Sequence, residues 1–139
     1  MEKVIALLRN KNHQLERFYW VNEQELINFG IGNFDSVENF YSAREVILNS
    51  INAIDASVED ESDITSGTTV KTVDREEIEL LLKSKDELVK AILAQDLQIL
   101  AYIEREKSNI IRELRANATA KRAVGAYANS ERLQQLDQD

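Results

Sequence analysis

The feature that most constrains the fold of this chain is the complete absence of proline from its 139 residues. Glycine occurs only four times, with Gly30 and Gly32 close together and with Gly67 and Gly125 far apart. Proline and glycine are the residues that most disfavour an α-helix, by about 3 and about 1 kcal/mol relative to alanine. We therefore predict an all-α protein whose long helices are separated near the first two glycines and near Gly67.

Apolar residues spaced by three and four positions predict the first two helices. The first covers residues 2–28, and Asn12 and Asn22 are polar members of its apolar stripe. The second covers residues 35–58, and Arg44 is the one polar member of its stripe. Stripes of this kind are typical of helices that pack against one another in a bundle.

Two capping signals predict where the second and third helices begin. Asp35 is followed three residues later by Glu38, and Asp74 is followed in the same way by Glu77. An acid at the first position accepts hydrogen bonds from the backbone N–H groups of the first turn. The carboxylate three residues later accepts from the backbone N–H of the first position, which completes a capping box.

The third helix is predicted over residues 74–116, because no glycine or proline interrupts its apolar spacing. Its weak point is the polar group Ala94-Gln95-Asp96, where a bend is possible. Residues 59–73 are acidic and rich in Ser and Thr, which predicts a mobile linker. Residues 117–139 form a C-terminal tail, either a short helix or disordered. The predicted fold is an antiparallel bundle of two shorter helices and one long C-terminal helix.

Helix length predicts an exposed apolar surface. At 1.5 Å per residue the third helix is about 60 Å long and the first two are about 37 Å each. About fifteen residues of the third helix therefore extend past the turn at Gly30 and Gly32. The apolar residues of that extension are Ile103, Ile110, Ile111 and Leu114. The C-terminal tail, a second copy of the chain or a client protein must cover them.

Composition excludes several kinds of active site. The chain has no cysteine, so disulfides and thiolate chemistry are excluded, and its only histidine is His13, which we expect to face solvent. No glycine-rich phosphate loop occurs, and no residue pattern pairs a nucleophile with a base. We therefore expect no enzymatic activity, no cofactor and no metal.

Charge and hydropathy argue against two classes of partner and favour the cytoplasm. The formal net charge is −8, which disfavours nucleic acid and anionic lipid as partners. The uncharged stretch at residues 46–54 is about half the length that a membrane-spanning helix needs. The first residues, with Glu2 and Arg9, do not resemble a signal peptide.

The turn at residues 32–37 and the Ala-Arg-Glu at residues 43–45 resemble the Gly-Asp-aromatic turn and the later Arg-Glu of the small flagellar type III export chaperones. Residues 92–99, Ile-Leu-Ala-Gln-Asp-Leu-Gln-Ile, resemble the long helix of the filament-cap (FliT-type) chaperones. Residues 121–127 resemble the basic stretch that ends in tyrosine.

The sequence also departs from that family. Ala120 stands where a glycine usually precedes the basic pair, and Phe34 stands where a tryptophan is frequent. The acidic linker is also longer than is usual there. These differences leave the hook-junction (FlgN-type) chaperones as a second possible class.

The resemblance implies a cytoplasmic, non-enzymatic chaperone. Such a protein binds the C-terminal helical part of a secreted flagellar subunit, prevents its premature assembly and delivers it to the export apparatus. The resemblance implies client contacts at Ile92, Asp96 and Ile99 and a tail, with Tyr127, that folds back over the client site.

The exposed apolar residues of the third helix also favour a site that binds a client helix, because an amphipathic helix bound in an apolar groove is a common mode of recognition. Two other functions stay open: a homodimeric helical adaptor joined through Ile110 and Leu114, and a regulator that sequesters a transcription activator. The predicted partner-binding residues are Ile92, Asp96, Ile99, Leu100, Ile103, Ile110, Ile111, Leu114 and Tyr127.

Overall fold

The computed structural model describes residues 1–65, 67 and 69–137, and it contains three α-helices. These are α1 (Glu2–Gly30), α2 (Val37–Ile64) and α3 (Thr72–Asp137). No strand occurs in the described part of the chain, so the prediction of an all-α bundle is confirmed. None of the helices has, within its described residues, an apolar stretch long enough to cross a membrane.

All three helices extend beyond their predicted ends, and α1 does so by only two residues, to Gly30. Helix α2 continues to Ile64, six residues into the predicted linker, and the Glu61 carboxylate there lies 2.9 Å from Lys3 Nζ on α1. The hydrogen bond that Lys3 donates to Glu61, and then the negative charge of Glu61, raise the pKa of Lys3. Helix α2 extends into this segment because glutamate favours helices and because the pair of Glu61 with Lys3 adds a contact with α1. The sequence indicated only an acidic, solvated segment.

Helix α3 does not end at residue 116 but continues through Gly125 to Asp137. Six alanines between residues 116 and 128 explain the extension, because alanine has the highest helix propensity and offsets the cost of one glycine. The predicted tail is therefore helical as far as Asp137. Ser66 and Thr68 of the predicted linker and Gln138 and Asp139 of the predicted tail lie outside the described residues.

The chain divides into two compact units, Met1–Leu100 and Ala101–Asp139. In the first unit α1 and α3 run parallel: Asn12 Nδ2 donates to the Leu81 carbonyl at 3.0 Å, and Asn22 Nδ2 donates to Gln95 Oε1 at 3.1 Å. Helix α2 runs antiparallel to both, and it packs on them through its predicted stripe. The core cluster of this unit comprises Leu15, Phe18, Ile47, Ile51 and Ile92.

The start of α2 differs from the prediction. Its N-cap is Ser36, not Asp35, and no side chain makes a capping hydrogen bond there. The Ser36 hydroxyl instead donates to Oε1 of the buried Glu25 at 2.7 Å and accepts from Asn28 Nδ2 at 3.3 Å. The requirement of Glu25 for a donor explains why Ser36 contacts α1, since a buried carboxylate without a partner is costly.

Candidate functional site

A buried polar layer lies around Gln95, at the position where the sequence allowed a bend in α3. Helix α3 is continuous there, and Gln95 is only 4% exposed. Its Nε2 donates to the Tyr19 carbonyl at 3.1 Å and to Glu23 Oε1 at 2.7 Å. The polar interruption in the apolar spacing is therefore a set of hydrogen bonds that joins α3 to α1.

Asn22 lies at the centre of this layer and is fully buried. Its Nδ2 donates to Gln95 Oε1 and, at 3.4 Å, to Asp96 Oδ1. Its Oδ1 atom has no hydrogen-bond partner among the described residues. A buried amide needs its partners in place, so this layer fixes how α1 and α3 align along their length.

Asp96 also contacts α2, through an ion pair with Arg44 at 3.2 Å. The Arg44 guanidinium lies over two aromatic rings, 4.6 Å from the centroid of Phe18 and 5.1 Å from that of Phe40. Cation–π contacts of this kind are worth roughly 0.5–2 kcal/mol, according to how far the cation is desolvated. The pair is therefore held in a defined position beside the core.

An apolar groove lies between α2 and α3, beside this ion pair. It encloses about 260 Å³, and its lining residues are Leu15, Phe18, Arg44, Leu48, Ile51, Val89, Ile92, Leu93 and Asp96. Arg44 and Asp96 are the charged members of that set, and they neutralise each other. The groove therefore offers a nearly apolar surface with one polar contact point.

The apolar surface on the α3 side of the groove is open to solvent. Leu93 is 58% exposed, and Leu97 and Leu100 are also exposed. At 100° per residue these three leucines fall within an arc of about 60° on α3. Large aliphatic side chains aligned in this way are the pattern expected of a surface that packs against another helix.

The nine predicted site residues are divided between the two units. In the first unit Ile92 and Ile99 are buried, Asp96 is half-buried and Leu100 is exposed. Ile92 lines the groove, whereas Ile99 lies in the core, where a partner cannot reach it. The remaining five lie in the second unit and are exposed except for the half-buried Ile103: Ile103, Ile110, Ile111, Leu114 and Tyr127.

Only Ile92 and Asp96 of the nine residues that line the groove were predicted as site residues. Leu48 on α2, and Val89 and Leu93 on α3, are among the seven that were missed. The sequence does contain a signal for Val89 and Leu93. Val89, Leu93, Leu97 and Leu100 form a second apolar stripe on α3, with spacings of four, four and three, beside the stripe that is buried.

His13 is exposed, as predicted. Within the part of the chain that the structure describes, no three or more metal-ligating side chains come together. The comparisons of this chain with protein-family models, curated proteins and solved structures found no match.

Proposed function

We propose that this chain is a non-enzymatic chaperone that binds an amphipathic helix of a client protein in the groove between α2 and α3. The proposed client is a secreted flagellar subunit, with the filament-cap protein first and a hook-junction protein second. The proposed setting is the cytoplasm, where the complex would be delivered to the export apparatus. The flagellar assignment is supported by the sequence resemblance, and the binding site by the groove.

The observation that carries the proposal is the open apolar lining of the groove. A client helix with apolar residues at positions i, i+3 or i+4, and i+7 would cover Leu48 on one wall and Val89 and Leu93 on the other. Fully burying a leucine contributes about 1.5–3 kcal/mol. Several such contacts are needed to offset the loss of freedom on association, which costs at least about 4 kcal/mol.

The ion pair of Arg44 with Asp96 gives the groove its polar contact point. Arg44 has five N–H donors, and its pair with Asp96 leaves some of them for a partner. A polar side chain of the client opposite this pair would fix the register of the bound helix. The resemblance places Asp96 among the client contacts, and the groove gives that role a physical basis.

The test is a mixture of the full chain with a C-terminal helical fragment of a filament-cap protein, analysed by size exclusion with light scattering. We expect a 1:1 complex. Leu93→Glu places a charge in the groove, and we expect it to weaken binding by at least tenfold. The matched control is Leu80→Glu, because Leu80 is similarly exposed, at 66%, but does not line the groove.

Three outcomes have distinct meanings. Equal loss with both variants would contradict the groove as the binding site. Binding of a hook-junction fragment in place of the filament-cap fragment would change the client but keep the site. No binding of either fragment would remove the support for a flagellar chaperone.

A homodimeric helical adaptor is the second candidate function. It is favoured by the exposure of Ile110, Ile111 and Leu114 in the second unit, because helices pair through such residues. A dimer mass that persists on dilution, and that Leu114→Glu abolishes, would support it. The suggested roles of Tyr127 and of the tail as a cover for the client site stay predictions.

A further inference from the structure

The second unit contains a segment whose charge is opposite in sign to that of the first unit. Residues 1–100 hold ten Lys and Arg against nineteen Asp and Glu, a net charge of −9. Residues 105–132 hold seven Lys and Arg against three Glu, a net charge of +4. The net charge of −8 for the whole chain therefore does not describe this part of α3.

The charges of this segment are also segregated around the helix. We define the basic face as the arc of about 120° on α3 that holds, at 100° per residue, Lys107, Ile111, Leu114, Arg115, Ala118, Lys121 and Arg122. All seven side chains are exposed. Glu106, Glu113 and Glu131 lie on the opposite side of the helix, about 140–160° from Ile111. Glu104 is the one acid of residues 101–134 on the side of the basic face.

We propose that the basic face binds an acidic amphipathic helix of a partner protein. Ile111, Leu114 and Ala118 are spaced as i, i+3 and i+7, which is the spacing that packs against another helix, and the small Ala118 permits a close approach. Lys121 lies on one side of this stripe and Arg115 on the other. Carboxylates that flank an apolar stripe on the partner would pair with both.

The composition of the face favours a helix over other anionic partners. Helices that lie on a membrane surface use several Trp, Phe or Leu side chains as apolar anchors, and Leu114 is the one such residue among the seven of the basic face. Single-stranded nucleic acids need aromatic rings for stacking, and the seven residues of the face include none. A duplex contacted only through phosphates would leave Ile111 and Leu114 uncovered.

The experiment uses the full chain and two synthetic helical peptides. One has leucines at every third and fourth position flanked by glutamates, and the other has glutamine in place of each glutamate. We expect fluorescence anisotropy to show about tenfold tighter binding of the acidic peptide at about 0.1 M NaCl. The difference should disappear at about 1 M NaCl, where the Debye length falls to about 3 Å.

Two double variants with the same change of charge locate the site. Lys121→Glu with Arg122→Glu should abolish the advantage of the acidic peptide. Arg105→Glu with Arg112→Glu should preserve it, because both arginines lie outside the basic face. Leu93→Glu should also preserve it, which separates this surface from the groove of the first unit.

Other results would overturn the proposal. Equal affinity for the two peptides, or equal loss in the two double variants, would mean that no specific basic face exists. Binding to vesicles rich in phosphatidylglycerol but not to the acidic peptide would assign the face to a membrane. A dimer at low salt that Lys121→Glu with Arg122→Glu dissociates would mean that a second copy of the chain occupies the face.

Discussion

At the scale of single residues, the hydrogen bond between Asn22 and Gln95 should be sensitive to substitution. Both side chains are buried, and Asn22 Nδ2 donates to Gln95 Oε1 at 3.1 Å. Gln95→Met should destabilise the protein by about 1–3 kcal/mol, because Asn22 loses an acceptor without regaining contact with water. Asn22→Leu should cost a similar amount, because Gln95 Oε1 then loses its donor.

The double variant tests whether the two losses have one cause. Asn22→Leu with Gln95→Met replaces both partners by apolar side chains of similar size, so it should be less destabilising than the sum of the single variants. Urea unfolding followed by circular dichroism measures all three free energies. Additive costs would contradict a shared buried hydrogen bond.

The sequence predicted two of the three buried polar residues of α1, missing Glu25, and it did not predict what these residues contact. Asn12 and Asn22 were assigned to the apolar stripe, and both are buried. Their partners are Leu81 and Gln95 on α3. Helical spacing gives the side of a helix on which a residue lies, whereas the alignment of two helices along their length depends on packing that no local pattern contains.

At the scale of helices, the two glycines Gly32 and Gly125 should respond to substitution in opposite directions. Gly125 lies inside α3, and a Cβ atom added there meets no described atom within 4 Å. Gly125→Ala should stabilise the helix around it by about 1 kcal/mol. Gly32 has a φ of +79°, so Gly32→Ala should destabilise the first unit by about 1–2 kcal/mol.

Amide hydrogen exchange measures the effect at Gly125, and urea unfolding measures the effect at Gly32. Gly125→Ala should slow exchange near residues 120–130, and Gly32→Ala should lower the midpoint of urea unfolding. Unchanged exchange in Gly125→Ala would mean that α3 is not helical around residue 125 in solution.

The number and order of the helices could be predicted from the sequence, whereas their ends could not. The absence of proline and the position of the glycines were sufficient for three helices. The stops predicted at residues 58 and 116 were wrong, because a solvated acidic segment and an alanine-rich segment have no apolar stripe and yet favour a helix. Helix propensity determines where α2 and α3 end, and apolar spacing alone does not reveal that propensity.

At the scale of the whole molecule, the sequence predicted the kind of surface better than its location. It indicated exposed aliphatic residues on the long helix, and the structure shows them in each unit. It did not find the groove, because one wall comes from α2 at Leu48 and the other from α3 at Val89 and Leu93. Only folding brings those two walls together.

The two units should differ strongly in local stability. Among the described residues, every buried side chain belongs to the first unit, and all side chains of residues 107–134 are exposed. An uncovered helix depends on propensity alone and opens easily, whereas a core helix opens only near the global free energy of unfolding. Amides of residues 107–134 should therefore exchange at least about a hundredfold faster than those of residues 85–99.

Ligands should change this contrast separately in each unit. The acidic peptide should slow exchange in residues 107–122, because it covers the basic face, and leave residues 85–100 unchanged. The filament-cap fragment should slow exchange in residues 85–100, where it covers Val89 and Leu93. Slow exchange throughout residues 107–134 in the protein without ligand would contradict the exposure of the basic face. The same result at low protein concentration would exclude self-association as the cause, so that another part of the same chain would have to cover the face.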